Sequence, residues 1–276
     1  MLAKLFDRRG LLALCAAAGL AVTATAVPVR AEGPDQSIWL GLKKDVFGDR
    51  DIADGKDKIA LEAPIRAEDA AIVPISIKMP AEFAANVKAV TLVVDKNPMP
   101  VAATFTYGPA AGIGERTLST RIRMDQYSDV RVIAETADGQ LFMTTKFVKA
   151  SGGCSAPMGK DMDEAMKSMG KMQVKSLAAK DGISGAQEAQ VMIKHPNTTG
   201  MQMDQLTGLY TPARYLNKIE IKNGDDLIFK IEGGISISED PNFRFSFSGK
   251  PGDTIAVKAE DTDGAVFTGQ SQPSQS

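Results

Sequence analysis

Cys154 lies in the run Lys149-Ala150-Ser151-Gly152-Gly153-Cys154-Ser155-Ala156-Pro157. A thiol is nucleophilic as its thiolate, and in that form it can hold another group covalently through sulfur. Gly152 and Gly153 precede it without side-chain bulk and with wide backbone freedom. The sequence therefore predicts a flexible arm that brings the thiol close to a site on another protein. Lys149 and Lys160 are the nearby cations expected to favour the thiolate.

No second catalytic group accompanies the cysteine. His195, the single histidine, stands in Val191-Met192-Ile193-Lys194-His195-Pro196. A lone histidine at the end of a strand is expected to be structural, although a Cys–His pair formed across the fold would permit thiol catalysis. Met158, Met162, Met166, Met169 and Met172 follow at spacings that place them on one face of a helix. Such a stripe is a pliable packing surface. Its sharper alternative is thioether ligation of cuprous copper. Phosphate-binding glycine loops, Cys-x-x-Cys pairs and histidine-rich metal motifs are absent from the sequence. The residues describe a handle, not an enzyme, and no cofactor is expected.

The wider composition agrees. With 276 residues, 43% hydrophobic and 24% charged, the chain has the make-up of a folded globular protein. A sequence pI near 5.6 argues against a general nucleic-acid binder. Lys4, Arg8 and Arg9 precede an apolar run from Leu11 to Val27, and Val29-Arg30-Ala31 fits a small-x-small cleavage site. Residues 1–31 are thus expected to be an export signal. Arg8-Arg9 leaves a twin-arginine route open. Thr23, Thr25 and Pro28 interrupt the run, so no membrane anchor is expected. Cys15 leaves with that segment, so the exported chain keeps Cys154 alone. A single cysteine cannot form an internal disulfide, which points to a free thiol with a task or to pairing between chains.

The elements that must position Cys154 are mostly strands. Leu118, Thr120, Ile122 and Met124 alternate with polar residues, as do Val130, Val132 and Ala134. Val90, Leu92 and Val94 do so less cleanly, because Val93 adds an apolar residue on the other face. That strand is expected to be covered on both sides. Asp95-Lys96-Asn97-Pro98, Tyr107-Gly108-Pro109 and Ala137-Asp138-Gly139 read as turns. In the second half, Ile219 and Ile221 lead to the hairpin signal Asn223-Gly224-Asp225. Phe243, Phe245 and Phe247 make the clearest half-buried strand. Between the halves, Asp161 with Glu164 opens a helix and Asp181-Gly182 closes it. The expectation is an all-β chain of two β-sandwiches, over 38–155 and 184–270, joined by a Met-rich helical linker over 156–183.

The mature chain resembles the periplasmic sulfur-oxidation carrier. Its first half is similar to the SoxY subunit through Ile65–Ile75, Lys96-Asn97-Pro98-Met99-Pro100, Thr120-Arg121-Ile122-Arg123-Met124 and the segment from Val148 to Gly152-Gly153-Cys154. Its second half resembles SoxZ through Val191–Pro196, Thr199-Gly200, Thr211-Pro212-Ala213 and Asn242–Phe247. The order is that of a Y–Z fusion, similar to the fused carriers associated with quinoprotein dehydrogenases. The resemblance implies two immunoglobulin-like sandwiches packed together. It makes Cys154 the covalent attachment site and Gly152 and Gly153 the source of arm mobility. It also implies a periplasmic location, sulfur-metabolism or redox partners such as a quinoprotein dehydrogenase and a c-type cytochrome, and catalysis supplied by those partners. The arm departs from the Gly-Gly-Cys-Gly-Gly terminus of the carrier family: Ser155 and Ala156 follow the cysteine and the chain continues. A docking or copper-handling accessory role beside the dehydrogenase is the alternative.

Overall fold

The computed structural model describes residues 36–157, 162–177, 186–204, 207–250 and 252–271. The expected export segment lies outside them. The first half carries helix α1 (Gln36–Phe47), strands β1 (Ile52–Asp54), β2 (Ala60–Glu62) and β3 (Val73–Met79), and the short helix α2 (Ala81–Ala84). Strands β4 (Val87–Val94), β5 (Val101–Tyr107), β6 (Arg116–Ile122), β7 (Ser128–Thr136) and β8 (Leu141–Val148) complete it. Helix α3 (Met162–Ser168) and β9 (Met172–Leu177) lead to the second half. That half holds β10 (Ala186–Ile193), β11 (Leu216–Asn223), β12 (Asp226–Gly233), β13 (Asn242–Ser248), β14 (Ile255–Asp261) and β15 (Val266–Gln270). No helix among the described residues is long and apolar enough to cross a membrane.

The fold is all-β, built of two sheets, and each sheet draws strands from both halves. One runs β1-β8-β7-β4-β5-β12-β11-β14-β15 and the other β2-β3-β6-β13-β10-β9. The halves therefore join edge to edge. In the larger sheet Phe229 pairs with Tyr107 and Gly233 with Ala103. In the smaller, Arg244 pairs with Ser119 and Phe245 with Leu118. Pairing the inner edges satisfies backbone groups that two separate sandwiches would leave bare. The aromatic strand at the seam locks the join. Phe245 meets Phe229 at 4.7 Å between ring centroids, and Phe105 contacts both Phe229 and Phe243. These edge-to-face contacts belong to one core that runs through both halves.

Alternation decides which faces are buried. The expected strand around Leu118–Ile122 is β6, with every second residue buried, and Phe243, Phe245 and Phe247 are the buried face of β13. Asn223-Gly224-Asp225 turns β11 into β12 as expected. Val93 is covered as its apolar neighbours predicted, but by an element the period-two pattern hid. Helix α1 lays Trp39 and Phe47 over Val93, Ile133 and Leu141 on the outer face of the larger sheet. The region expected as sandwich from residue 38 thus opens on a helix.

The linker carries a helix as expected, but a shorter one. Helix α3 ends at Ser168 and the chain turns at Gly170, whose φ of +81° lies in the left-handed region. Met172, Val174 and Ser176 then alternate with Gln173 and Lys175 in β9, which pairs antiparallel with β10. The methionine series is accordingly split. Met162 and Met166 are on the helix, Met169 is in the turn, and Met172 is on a strand packed against the core. Met158 lies outside the described residues. The single helical face on which copper ligation depended does not form.

Candidate functional site

Strand β6 ends at Ile122, and the three residues after it build a seat. Arg123 N donates to the Ser236 carbonyl oxygen at 2.7 Å, crossing to the second half, and Met124 N donates to Ala70 O at 2.8 Å. Asn97 fixes this bend from one side. Its Nδ2 donates to Arg123 O at 2.7 Å and to Ser236 Oγ at 2.9 Å, while its Oδ1 accepts from Asp125 N at 2.9 Å. One buried amide thus makes two hydrogen bonds to this turn and a third to the Ser236 side chain across from it, so the bend is defined by polar geometry as well as packing.

The cysteine segment leaves β8 and folds back onto that bend. Gly152 N donates to Asp125 O and Gly153 N to Met124 O, both at 2.8 Å. Arg123 Nη1 donates to Gly153 O at 3.2 Å. Thr199, from the second half, donates its hydroxyl to the Cys154 carbonyl oxygen at 2.6 Å. Gly153 must be glycine for this seat: a methyl group there would sit 2.0 Å from the Ala70 carbonyl oxygen. Gly152 takes φ +80° with open space around it, so its need is conformational.

Cys154 is fully buried and its thiol is free. Burial pushes the thiol up to about 11, Asp125 adds to that shift, and Arg123 opposes it. The expectation of a thiolate favoured by Lys149 and Lys160 is corrected here. Lys149 is an exposed residue whose backbone pairs with Ile65 and Ala67, and Lys160 lies outside the described residues. The cation that acts on the thiol is Arg123, which local sequence placed on a polar strand face. The docked arm holds a protonated thiol out of solvent.

The ring of His195 has no part in this site. Its Nδ1 accepts from Asn197 N at 3.0 Å, and Nε2 faces Asp261 Oδ2 at 3.4 Å. Asp261 also accepts from Arg214 Nε at 2.8 Å. An acceptor at Nδ1 leaves the neutral ring its proton at Nε2, pointed at Asp261. Burial holds the histidine below its usual range despite the aspartate. Both nitrogens are occupied, so His195 orders the Pro196–Thr199 loop instead of serving Cys154 as a base. Among the described residues no group of three or more His, Cys, Asp or Glu side chains is arranged to hold a metal.

Residues 43–154 match the family model of the sulfur oxidation protein SoxY, and residues 174–272 match that of the sulphur oxidation protein SoxZ. The first match ends on Cys154. Among solved structures, the sulfur carrier protein SoxY from Chlorobium limicola f thiosulfatophilum is similar at 22% identity with a TM-score of 0.34, covering 41% of this chain and 92% of that one. No curated relative matches the chain.

Proposed function

We propose that this chain, which carries a SoxY domain followed by a SoxZ domain in one polypeptide, is a non-enzymatic carrier that holds a sulfur-containing or other thiol-reactive group covalently on Cys154. The carrier works in the periplasm after cleavage near Ala31. It presents its cargo to sulfur-metabolism or redox enzymes, among them a quinoprotein dehydrogenase and a c-type cytochrome. The seat of Cys154 carries this reading. A single thiol lies where the two matched domains meet, held by hydrogen bonds to its backbone and by the fit of Gly153. Backbone latches release without breaking a core, so the segment can open locally while both sheets stay intact.

In the docked state the thiol is buried and protonated, which protects it from oxidation in an oxidising compartment. Undocking returns it to water, where the thiolate forms more readily and attacks a sulfur electrophile delivered by a partner. The chain supplies the thiol, the tether and a rigid body, and the partners supply catalysis. The arm is held at both ends, because the chain continues into α3 and β9. Its reach is therefore shorter than that of a terminal arm, and a partner must approach the seam itself.

Replacement of Cys154 by Ser in the host organism tests the reading. Loss of growth on the pathway's substrate, equal to loss on deleting the gene, is expected. Growth unchanged by Cys154→Ser but abolished by deletion overturns the carrier and leaves an accessory docking module.

A further inference from the structure

The smaller sheet carries a cavity of about 530 Å³ that the arm does not use. One cross-strand row runs through it. Glu62 on β2 pairs with Ser76 on β3, Ser76 with Ser119 on β6, Ser119 with Arg244 on β13, and Arg244 with Gln190 on β10. Residues opposed in this way share one face of a sheet. Their alternating neighbours Ile75, Ile77, Leu118 and Phe245 belong to the core, so this row is on the outer face. Glu62 and Arg244 are its long side chains, and the two serines between them leave a trough. Ser76 and Ser119 bond each other through their hydroxyls at 2.9 Å. Pro74 and Arg121 pair in the next row along the strands, and Pro64 and Lys146 also line the cavity. Gln190 Nε2 donates to Asn242 Oδ1 at 3.1 Å, which adds two side-chain amides to the lining.

Charge in the trough is unbalanced. Arg244 is taken up by Glu188. Arg121 donates from Nη2 to the Asp240 carbonyl oxygen at 2.9 Å, while the Asp240 carboxylate accepts from Lys194 at 2.7 Å. The guanidinium is thus fixed by a neutral acceptor, and its Nε has none. Lys146 stands on β8 between the buried residues Thr144 and Val148, on the face that alternation turns inward, yet it is exposed. Neither Arg121 nor Lys146 has a carboxylate partner among the described residues. Guarding a sheet edge would account for Lys146 alone. It does not account for a second uncompensated cation and a row of hydroxyls and amides around the same cavity.

We propose that this trough binds a hydroxylated organic acid of the size of a sugar acid. Arg121 and Lys146 receive its carboxylate through charge-assisted hydrogen bonds. Ser76, Ser119, Asn242, Gln190 and Glu62 meet its hydroxyls, and Pro64 and Pro74 offer its C–H groups an apolar surface. The volume falls within the roughly 300–1,000 Å³ of small-molecule sites. Glu62 repels a second carboxylate, so the trough favours a monoacid over a diacid. Arg123, Thr199 and Ala70, which hold the arm, do not line the cavity. The site is therefore independent of what Cys154 carries.

Calorimetric titration of the full chain with glucuronate, glucose and acetate tests the assignment. Glucuronate should bind about tenfold or more tightly than either of the others, because glucose lacks the charge and acetate lacks the hydroxyls. Lys146→Met and Arg121→Gln should each weaken glucuronate about tenfold, the loss of one charge-assisted hydrogen bond. Lys175→Met removes an exposed cation of the same sheet that does not line the cavity, and should leave binding unchanged. If Arg121→Gln fails to fold, Lys146→Met, at an exposed position, decides. Glucose bound as tightly as glucuronate overturns the role of the cations. Acetate bound as tightly overturns the hydroxylated class. A loss in Lys175→Met equal to that in Lys146→Met reduces the effect to surface charge and overturns the site, as does the absence of glucuronate binding.

Discussion

Two arginines of the first half, one just past β6 and the other on β7 in the opposite sheet, are buried to almost the same degree and are used in opposite ways. Arg131, on β7, donates from Nε to both carboxylate oxygens of Asp95 at 2.9 Å. Its Nη2 reaches Asp95 at 2.7 Å and Asp129 at 3.0 Å. Its flat face lies 4.4 Å from the Trp39 ring centroid, which pins helix α1 to the sheet. Arg123, just past β6, has one acceptor and two idle nitrogens. A saturated buried guanidinium holds a fold in one state. A buried guanidinium with an empty edge carries a desolvation cost that its one hydrogen bond does not offset.

The contrast predicts unequal costs for the same substitution. Arg131→Met should be the most damaging, at about 3–5 kcal/mol in urea unfolding, because it strands two buried carboxylates. Arg123→Met should cost only about 1–2 kcal/mol, since it removes one hydrogen bond to a carbonyl. Equal costs would dissolve the distinction between the two sites.

The second pair of predictions concerns how easily the seat opens. Gly153→Ala should expel the arm, because its methyl group meets Ala70 O, and alkylation of Cys154 should accelerate about tenfold or more, an opening no longer opposed by the latch. Thr199→Val, which removes the hydroxyl bound to Cys154 O, should accelerate it about fivefold, the equivalent of one hydrogen bond. Neither change should alter urea stability as much as Arg131→Met. An alkylation rate unmoved by Gly153→Ala would mean that the docked arm is not what limits access.

The thiol also makes stability depend on pH. The thiol lies above its unfolded value, pushed by burial first, then by Asp125, with Arg123 opposing. The folded state therefore prefers the protonated form. Its contribution to stability is complete below the ordinary thiol range near 9 and fades as pH rises toward about 11. Wild type should lose stability relative to Cys154→Ser across that window, followed by urea midpoints. No divergence between the two proteins there would place the thiol in water.

The strands were legible because their buried faces repeat locally. Leu118–Ile122, Phe243–Phe247 and the Asn223-Gly224-Asp225 hairpin need only their own alternation and turn chemistry. Helix α1 was hidden in the sequence. Its buried face rests on two distant residues, Trp39 and Phe47, and the clue lay elsewhere, in the second apolar face that Val93 gives β4. The long Met helix failed for a complementary reason: methionine fits either period, and Gly170 with the alternation after it decides for a strand. Of the site, Cys154 and its glycines could be found from composition alone. The roles of Arg123 and Thr199, which stand in the resembling stretches, could not, because they depend on contacts across the seam, such as Thr199 Oγ1 to Cys154 O, that no local pattern records.

The most direct test is intact mass spectrometry of the protein isolated from cells using the pathway, before and after mild reduction, with Cys154→Ser alongside. Reducible mass additions of sulfur or oxidised sulfur, confined to the wild type and mapped to Cys154, are predicted. A bare, alkylatable Cys154 under those conditions would contradict covalent carriage.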